Sequence, residues 1–286
     1  MNIAGAIQVP SLPKALEEGL RMKPDNRDNT VLHVSDLSVA LEDGKCPRQL
    51  WLRLGEAKEK PPTAGILLMW ENGAGMHERL VEVIGKGLPP GWYIHSIESN
   101  VVLPGPVFGR YDIILEGPDN ILITVDFKTL RGRAFGYLTE AKPAHALQVQ
   151  SYMLPTNATG GLVFYADREG QNSAKQFFVT RDDEAVKSAI ARALEIQAMN
   201  EPPEILLPKL IIGKNKGPDS VKLTMPWQCS YCSFLDVSCE GALKKNLRNL
   251  GIIGYIPGEQ ADFEPKKGFG KLKDLVESLR TDRVPF

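Results

Sequence analysis

Long apolar runs are missing from this sequence. The longest, such as Ile66–Trp70, falls far short of the roughly 20 residues that a membrane-spanning helix needs. Met1–Pro24 lacks a basic stretch followed by an apolar core, so no secretory signal is expected there, and the protein is expected to work in a reducing cytoplasm. Charge of one sign is also missing: 34 Lys and Arg stand against 35 Asp and Glu, a formal net charge of −1, which excludes a polybasic coat for nucleic acid. Any contact with a polyanion must come from a local patch and should weaken with salt. Cysteine is scarce, with four in 286 residues. In a reducing compartment, four cysteines are expected to be metal or cluster ligands rather than disulfides. The chain has no Gly-x-x-x-x-Gly-Lys-Ser/Thr loop, no internal repeat and no low-complexity segment.

What is present is enough apolar material, 43% of residues, for one large core or a core with an attached lobe. Residues 1–30 read as a loosely attached leader with one short helix near Lys14–Met22. Residues 31–62 form the first part of a cysteine-bearing lobe, mostly helical over Val31–Leu54 with Ser35 as N-cap and ended by Pro61-Pro62. Residues 63–200 form the core. In it Leu67, Trp70, Ala74, His77, Val81 and Ile84 recur at helical steps between Thr63 and Lys86. The period then changes. Trp92–Leu103, Val107–Glu116 and Ile121–Thr129 read as three consecutive antiparallel strands separated by Pro- and Gly-rich turns. A helix over Thr139–Leu154, strands at Gly161–Ala166 and Lys175–Thr180, and a helix over Asp182–Met199 complete the core. Residues 201–286 are loop-rich and complete the lobe. The order predicts an α/β fold, a mixed central sheet flanked by helices.

The chemistry sits on two neighbouring strands. Asp112 lies in Gly109-Arg110-Tyr111-Asp112, near the middle of the second strand, and Asp126 and Lys128 lie near the end of the third. Residues two apart in a strand share a face, so Asp126 and Lys128 point together and Phe127 points to the apolar side. A hairpin can bring Asp112 beside Asp126. Two adjacent carboxylates repel unless a cation intervenes, and a hard divalent ion such as Mg²⁺ or Mn²⁺ suits them. Such an ion polarises a phosphoryl oxygen, and Lys128 would orient the attacking water or stabilise the growing negative charge. An isolated Asp-x-Lys is usually a solvated strand face. Two further signals bear on it. His77 shares a helix stripe with apolar neighbours, and Gln148 and Tyr152 are four apart on one later helix face.

The order His77, Asp112, Asp126-x-Lys128, Gln148-x-x-x-Tyr152 resembles the RecB-like branch of the PD-(D/E)XK nuclease superfamily. The resemblance implies a restriction-endonuclease-like core that hydrolyses DNA. In it His77, Asp112, Asp126 and the backbone carbonyl of Phe127 bind metal, Lys128 is catalytic, and Gln148 and Tyr152 serve the substrate or the site. Asp126 stands where many relatives carry Glu, which shortens its reach without changing its chemistry.

Cys229-Ser230-Tyr231-Cys232 has a common metal-ligand spacing, Cys239 follows it, and Cys46 lies far upstream in Cys46-Pro47-Arg48. The tail alone suits zinc or a redox pair equally. One cysteine before the core and three after it resembles the iron–sulfur RecB-like nucleases. These are the CRISPR-associated RecB-like exonucleases and the nuclease domains of AddB-type helicase–nucleases, and the absence of a helicase loop favours the stand-alone group. That resemblance implies a [4Fe–4S] cluster held by Cys46, Cys229, Cys232 and Cys239, closing a very long loop. It also implies a preference for single-stranded DNA ends, with the lobe arching over the site. Arg131 and Arg133, directly after Lys128, are the best candidates for DNA contact. Arg110, Lys142 and the group Lys209, Lys214, Lys216 and Lys222 add positive charge, and Phe135, Tyr137 and Trp227 could stack on bases. Three readings follow. The first is a Mg²⁺- or Mn²⁺-dependent exonuclease; the others are an inactive DNA-binding relative and a zinc-stapled structure-specific endonuclease. Partners among DNA-processing or CRISPR-adaptation proteins, a pathway in CRISPR adaptation, phage or viral replication or recombinational repair, and assembly as a homo-oligomer are left open.

Overall fold

The computed structural model describes residues 11–22, 28–169, 174–206, 209–212, 221–224, 226–239 and 261–263. In chain order its elements begin with α1 (Leu12–Arg21), β1 (Leu32–His33), a 3-10 helix (Val34–Ala40), α2 (Pro47–Leu54) and α3 (Ala64–Gly87). There follow β2 (Tyr93–Ile97), β3 (Asn100–Leu103), β4 (Val107–Arg110), β5 (Ile113–Glu116) and β6 (Leu122–Leu130). Next come α4 (Gly132–Gly136), α5 (Pro143–Thr156), β7 (Gly160–Asp167), β8 (Ala174–Thr180) and α6 (Asp183–Gln197). The described residues end with β9 (Lys209–Ile212), β10 (Val221–Thr224), α7 (Trp227–Ser230) and β11 (Ala261–Phe263). The chain divides into two compact units, one of Met1–Lys45, Arg53–Glu56 and Pro61–Glu201, the other of Cys46–Leu52, Ala57–Lys60 and Pro202–Phe286. Residues 31–45, read from the sequence as part of the lobe, thus fall in the first unit.

The first unit is built on a mixed five-stranded sheet of order β2-β5-β6-β7-β8, in which only β6 and β7 run parallel. Strand periodicity sorts its side chains onto two faces. Ile123, Val125 and Phe127 of β6 join Ile113 and Leu115 of β5 on one face, covered by Leu80, Val81 and Ile84 of α3. Val163 and Tyr165 of β7 and Val179 of β8 point the other way, onto Val149 and Met153 of α5. The expected α/β sandwich, a mixed sheet flanked by helices, is therefore what the chain forms. A second, three-stranded sheet of order β1-β4-β3 lies in the same unit.

Several elements differ from the sequence expectation. The expected strands over 92–103 and 107–116 each break in two, so that β2 and β5 pair in the large sheet while β3 and β4 pair in the small one. The alternation of residue types continues through the break, but the backbone turns. Glu98 takes a positive φ of 43°, and its N–H reaches across to the carbonyl of Asp112 at 2.8 Å. Asp112 thus sits at the joint between two sheets and not in mid-strand. The helix expected over Val31–Leu54 is a short strand, a 3-10 helix and α2, and Ser35 is not its cap. His33 occupies that place, and its N–H donates to Asp36 Oδ2 at 2.9 Å. The buried Asp36 carboxylate also meets Lys45 Nζ at 2.9 Å and Arg53 Nη2 at 2.6 Å. Along α3 the inward stripe holds only for the last turns. Trp70 is 57% exposed and Ala74 is exposed, because the sheet core packs only from Leu80 onward.

The second unit includes an antiparallel sheet of order β11-β10-β9, where the sequence suggested loops. Its cysteine segment winds through α7 and a run of turns to Cys239. Residues 58–60 are strapped to that run. Lys60 N–H donates to the Ser233 carbonyl at 2.9 Å, Ser233 Oγ bonds Glu59 Oε2 at 2.6 Å, and Ser238 Oγ bonds the Lys58 carbonyl. Arg48 Nη1 donates to the Pro203 carbonyl at 2.9 Å, tying the segment after Cys46 to the chain beyond residue 202. Lys214 and Lys216 lie outside the described residues.

Candidate functional site: a carboxylate–lysine centre and a four-cysteine pocket

The two ends of the sequence constellation meet at the end of β6. Asp126 and Lys128 project on the α5 face of the strand, and Phe127, fully buried, belongs to the α3-side core. Lys128 Nζ lies 2.7 Å from Asp126 Oδ2. That approach is close in distance but poorly aligned for a hydrogen bond, so Oδ2 is an enclosed oxygen with an ion-pair partner and no directed donor. Burial is the main reason the Asp126 carboxyl is pushed up to about 6; Lys128 opposes the shift and the nearby Asp112 charge adds to it.

The fold also explains how Asp112 arrives. The β5–β6 ladder ends at the pair Ile113↔Val125. The next N–H on that edge of β6, that of Phe127, is taken instead by Asp112 Oδ2 at 2.5 Å. The N–H and C=O of one strand residue point to the same edge, so the Phe127 carbonyl faces the Asp112 side as well. The second Asp112 oxygen, Oδ1, lies 3.4 Å from His77 Nδ1 on α3. Burial alone would lower the His77 pKa, but the bond to Asp112 and its charge outweigh that and raise it. The His77 ring also meets the Phe127 ring edge-on at 5.8 Å. His77, Asp112, Asp126 and Lys128 therefore lie within electrostatic reach of one another.

Gln148 and Tyr152 on α5 face the same set. Gln148 Nε2 donates to Tyr152 Oη at 3.0 Å. Burial first, then the charges of Asp126 and Asp112, holds the Tyr152 phenol far above its usual range, so it stays protonated. Its ring is admitted by Gly109, where a Cβ would stand 2.8 Å from Tyr152 Cε1 and 2.6 Å from Val34 Cγ2. The glycine of Gly109-Arg110-Tyr111-Asp112 is thus a space requirement of the site. Arg131 stands at the N-cap of α4 and Arg133 in its first turn, both exposed, and their guanidinium groups pair with no described residue. Phe135 is a correction: it is 3% exposed, inside the core beneath Lys175 Nζ, and cannot stack on a base. Tyr137 and Trp227 are exposed.

One neighbour escaped the sequence reading. His145 precedes Gln148 by three residues and Tyr152 by seven on the same face of α5, and that i, i+3, i+7 spacing was the available signal. Among the described residues, no three His, Cys, Asp or Glu side chains already close around one ion position. In the carboxylate centre the reason is visible: Asp126 leans on Lys128, while Asp112 spans Phe127 and His77.

The second unit gathers all four cysteines. Cys46, Cys229, Cys232 and Cys239, each half-buried, line one pocket whose other walls include Leu52, Ile205, Leu206 and Leu235. Burial, together with the neighbouring thiols, pushes Cys229 up to about 12 and raises Cys46 and Cys232 as well. The backbone N–H groups of Arg48 and Gln49 oppose the rise at Cys46, and those of Phe234 and Leu235 oppose it at Cys232. A half-buried thiol near backbone amides suits thiolate ligation: it resists ionising when free, and nearby N–H groups favour its anion.

No family model matches the chain, and no curated protein matches it. Among solved structures, SSO0001 is similar at 18% identity, covering 80% of this chain and 93% of that one with a TM-score of 0.42. LHK-Exo from Laribacter hongkongensis, an alkaline exonuclease crystallised in complex with dAMP, is similar at 13% identity over 59% of this chain and 89% of that one, with a TM-score of 0.43. A phage-related exonuclease from Haemophilus somnus 129PT is similar at 14% identity over 58% of this chain and 93% of that one, also at 0.43. No helix among the described residues is long and apolar enough to cross a membrane.

Proposed function

We propose that the chain is a divalent-metal-dependent DNA nuclease, an exonuclease acting on single-stranded ends, with a [4Fe–4S] cluster in its second unit. The observation that carries this reading is the Asp126 carboxylate. It is 2% exposed, its Oδ2 lacks a directed donor, and it stands beside a second carboxylate and a lysine. Such a pair is unfavourable by itself and suited to a hard cation. His77, Asp112, Asp126 and the Phe127 carbonyl would hold Mg²⁺ or Mn²⁺. The bound ion supplies Lewis-acid polarisation of a phosphate and an acidified water. Lys128 stabilises negative charge on the phosphate being cleaved, and Tyr152, kept protonated and steadied by Gln148, donates a hydrogen bond at the same place. Arg131 and Arg133 supply free guanidinium groups for the DNA backbone, and the exposed Tyr137 offers a ring to an unpaired base.

The four-thiol pocket fits a soft-ligand metal group by its donor chemistry. Cys46, Cys229, Cys232 and Cys239 would hold the cluster, whose role is to staple the chain near residue 46 to the chain near residue 239. The test is direct. Purified protein is incubated with end-labelled single- and double-stranded DNA and Mg²⁺, Mn²⁺ or EDTA, and product lengths are read. Shortening of single strands from an end, blocked by EDTA and by Asp126→Ala, is expected; no metal-dependent cleavage of any DNA would defeat the proposal.

A further inference from the structure

His145 sits in the first turn of α5 and is used by none of the steps above. Its Nδ1 lies 2.9 Å from Tyr165 Oη, and that same oxygen accepts the backbone N–H of Lys142 at 3.0 Å. A backbone amide only donates, so the phenol keeps its own hydrogen, which it can direct to the imidazole Nδ1. With Nδ1 accepting, a neutral ring carries its hydrogen on Nε2. The ring is neutral: burial first, then the charges of Lys128 and Lys142, pushes it down to about 3. No described residue accepts a hydrogen bond from Nε2.

The place of the imidazole ring is set through Tyr165 by the sheet. Tyr165 on β7 is the register partner of Lys128 on β6, and the His145 and Tyr165 rings lie 5.6 Å apart, tilted at 36°. His145, Gln148 and Tyr152 then follow one another along one helix face, the last two beside Asp126 and the first beside Lys128. A histidine that only filled space against Tyr165 would be served by an apolar side chain. What an imidazole adds is an oriented N–H that brings no further positive charge to a place already holding two lysines.

We infer that His145 is a further substrate-binding residue of the same site, its Nε2–H donating to a non-bridging oxygen of a DNA phosphate, with Tyr165 as the positioning residue that fixes the tautomer. The inference rests on the nuclease reading for its substrate, but the tautomer can be observed without any cleavage.

Two measurements test it. The first is ¹⁵N NMR of the imidazoles in metal-free protein, which is tractable because the chain has only four histidines. His145 should show a protonated Nε2 and a bare Nδ1, and added thymidine 5′-monophosphate should shift the Nε2–H resonance. Tyr165→Phe should mix the two tautomers. A protonated Nδ1, or no shift with the nucleotide, would overturn the inference. The second compares cleavage by wild type, His145→Ala and His145→Gln, whose amide can replace the lost donor. A loss of about 10- to 100-fold in kcat/KM for the alanine variant, with an unchanged melting temperature and substantial recovery in the glutamine variant, is expected. Wild-type activity with an equally active alanine variant would overturn the role of His145 alone. A wild type that cleaves nothing would overturn the nuclease reading, and the nucleotide shift would then decide whether His145 binds phosphate.

Discussion

Lys128 Nζ stands 2.7 Å from Asp126 Oδ2, yet that buried oxygen accepts no well-directed hydrogen bond. The lysine partly offsets the cost of burying the carboxylate.

Replacing Asp126 by Asn should abolish metal-dependent cleavage and, in EDTA, stabilise the fold. The sign follows from the raised pKa. Asp126 is pushed up to about 6 from 3.8, so the folded protein holds the proton more tightly than the unfolded chain. The favourable contribution is complete below pH 3.8 and is lost as pH rises through 6. Melting of wild type and variant from pH 4 to 8 in EDTA checks this: the variant should gain most at the alkaline end, and parallel curves would refute it.

Lys128→Ala should lower kcat by about 100- to 1000-fold with little change in DNA affinity, the loss expected for an electrostatic partner of the transition state. Single-turnover cleavage and oligonucleotide binding in Ca²⁺ separate the two effects.

Cys232→Ala should leave the carboxylate centre intact but lose the visible absorbance of an iron–sulfur cluster and melt at a lower temperature. Colourless wild-type protein prepared anaerobically, with one zinc per chain by elemental analysis, would replace the cluster by zinc.

Gly109→Ala should impair the site without altering a charge. The new methyl would meet Val34 Cγ2 at 2.6 Å and Tyr152 Cε1 at 2.8 Å. An overpacking penalty of about 1–3 kcal/mol is expected, with a drop in cleavage as Tyr152 is displaced. Denaturant melts and activity on the same preparation measure both.

Asp36→Ala should be costly for folding alone. It would leave Lys45 and the largely buried Arg53 without their shared carboxylate, and losing one partner of such a network costs about 3 kcal/mol. Cleavage per folded molecule should be unchanged.

The sequence was most informative where one periodicity ran undisturbed. The apolar alternation around Asp126 and Lys128 led to the observed faces of β6, and α5, β7, β8 and α6 lie within a few residues of their expected bounds. It misled where backbone direction changed without a change in residue type. Nothing in the alternation over 92–116 announces that the chain leaves one sheet for another at Glu98 and Asp112, because the decisive contact is a bond between distant backbone groups. His145 was passed over because its meaning depends on Tyr165, twenty positions away and met only through sheet register. Trp70 was assigned inward by helical spacing, which cannot tell how far along a helix the sheet extends.

Alternate residues of one strand carry the reactive groups and the hydrophobic anchor: Asp126 and Lys128 on one side, Phe127 on the other. Because strand side chains alternate strictly, sliding β6 by a single position would drive an aromatic ring toward Tyr152 and ionic groups into the packing beneath α3. Errors of alignment are therefore self-rejecting. A molecule that has seated Phe127 has, by that act, also turned Asp126 and Lys128 to the opposite face.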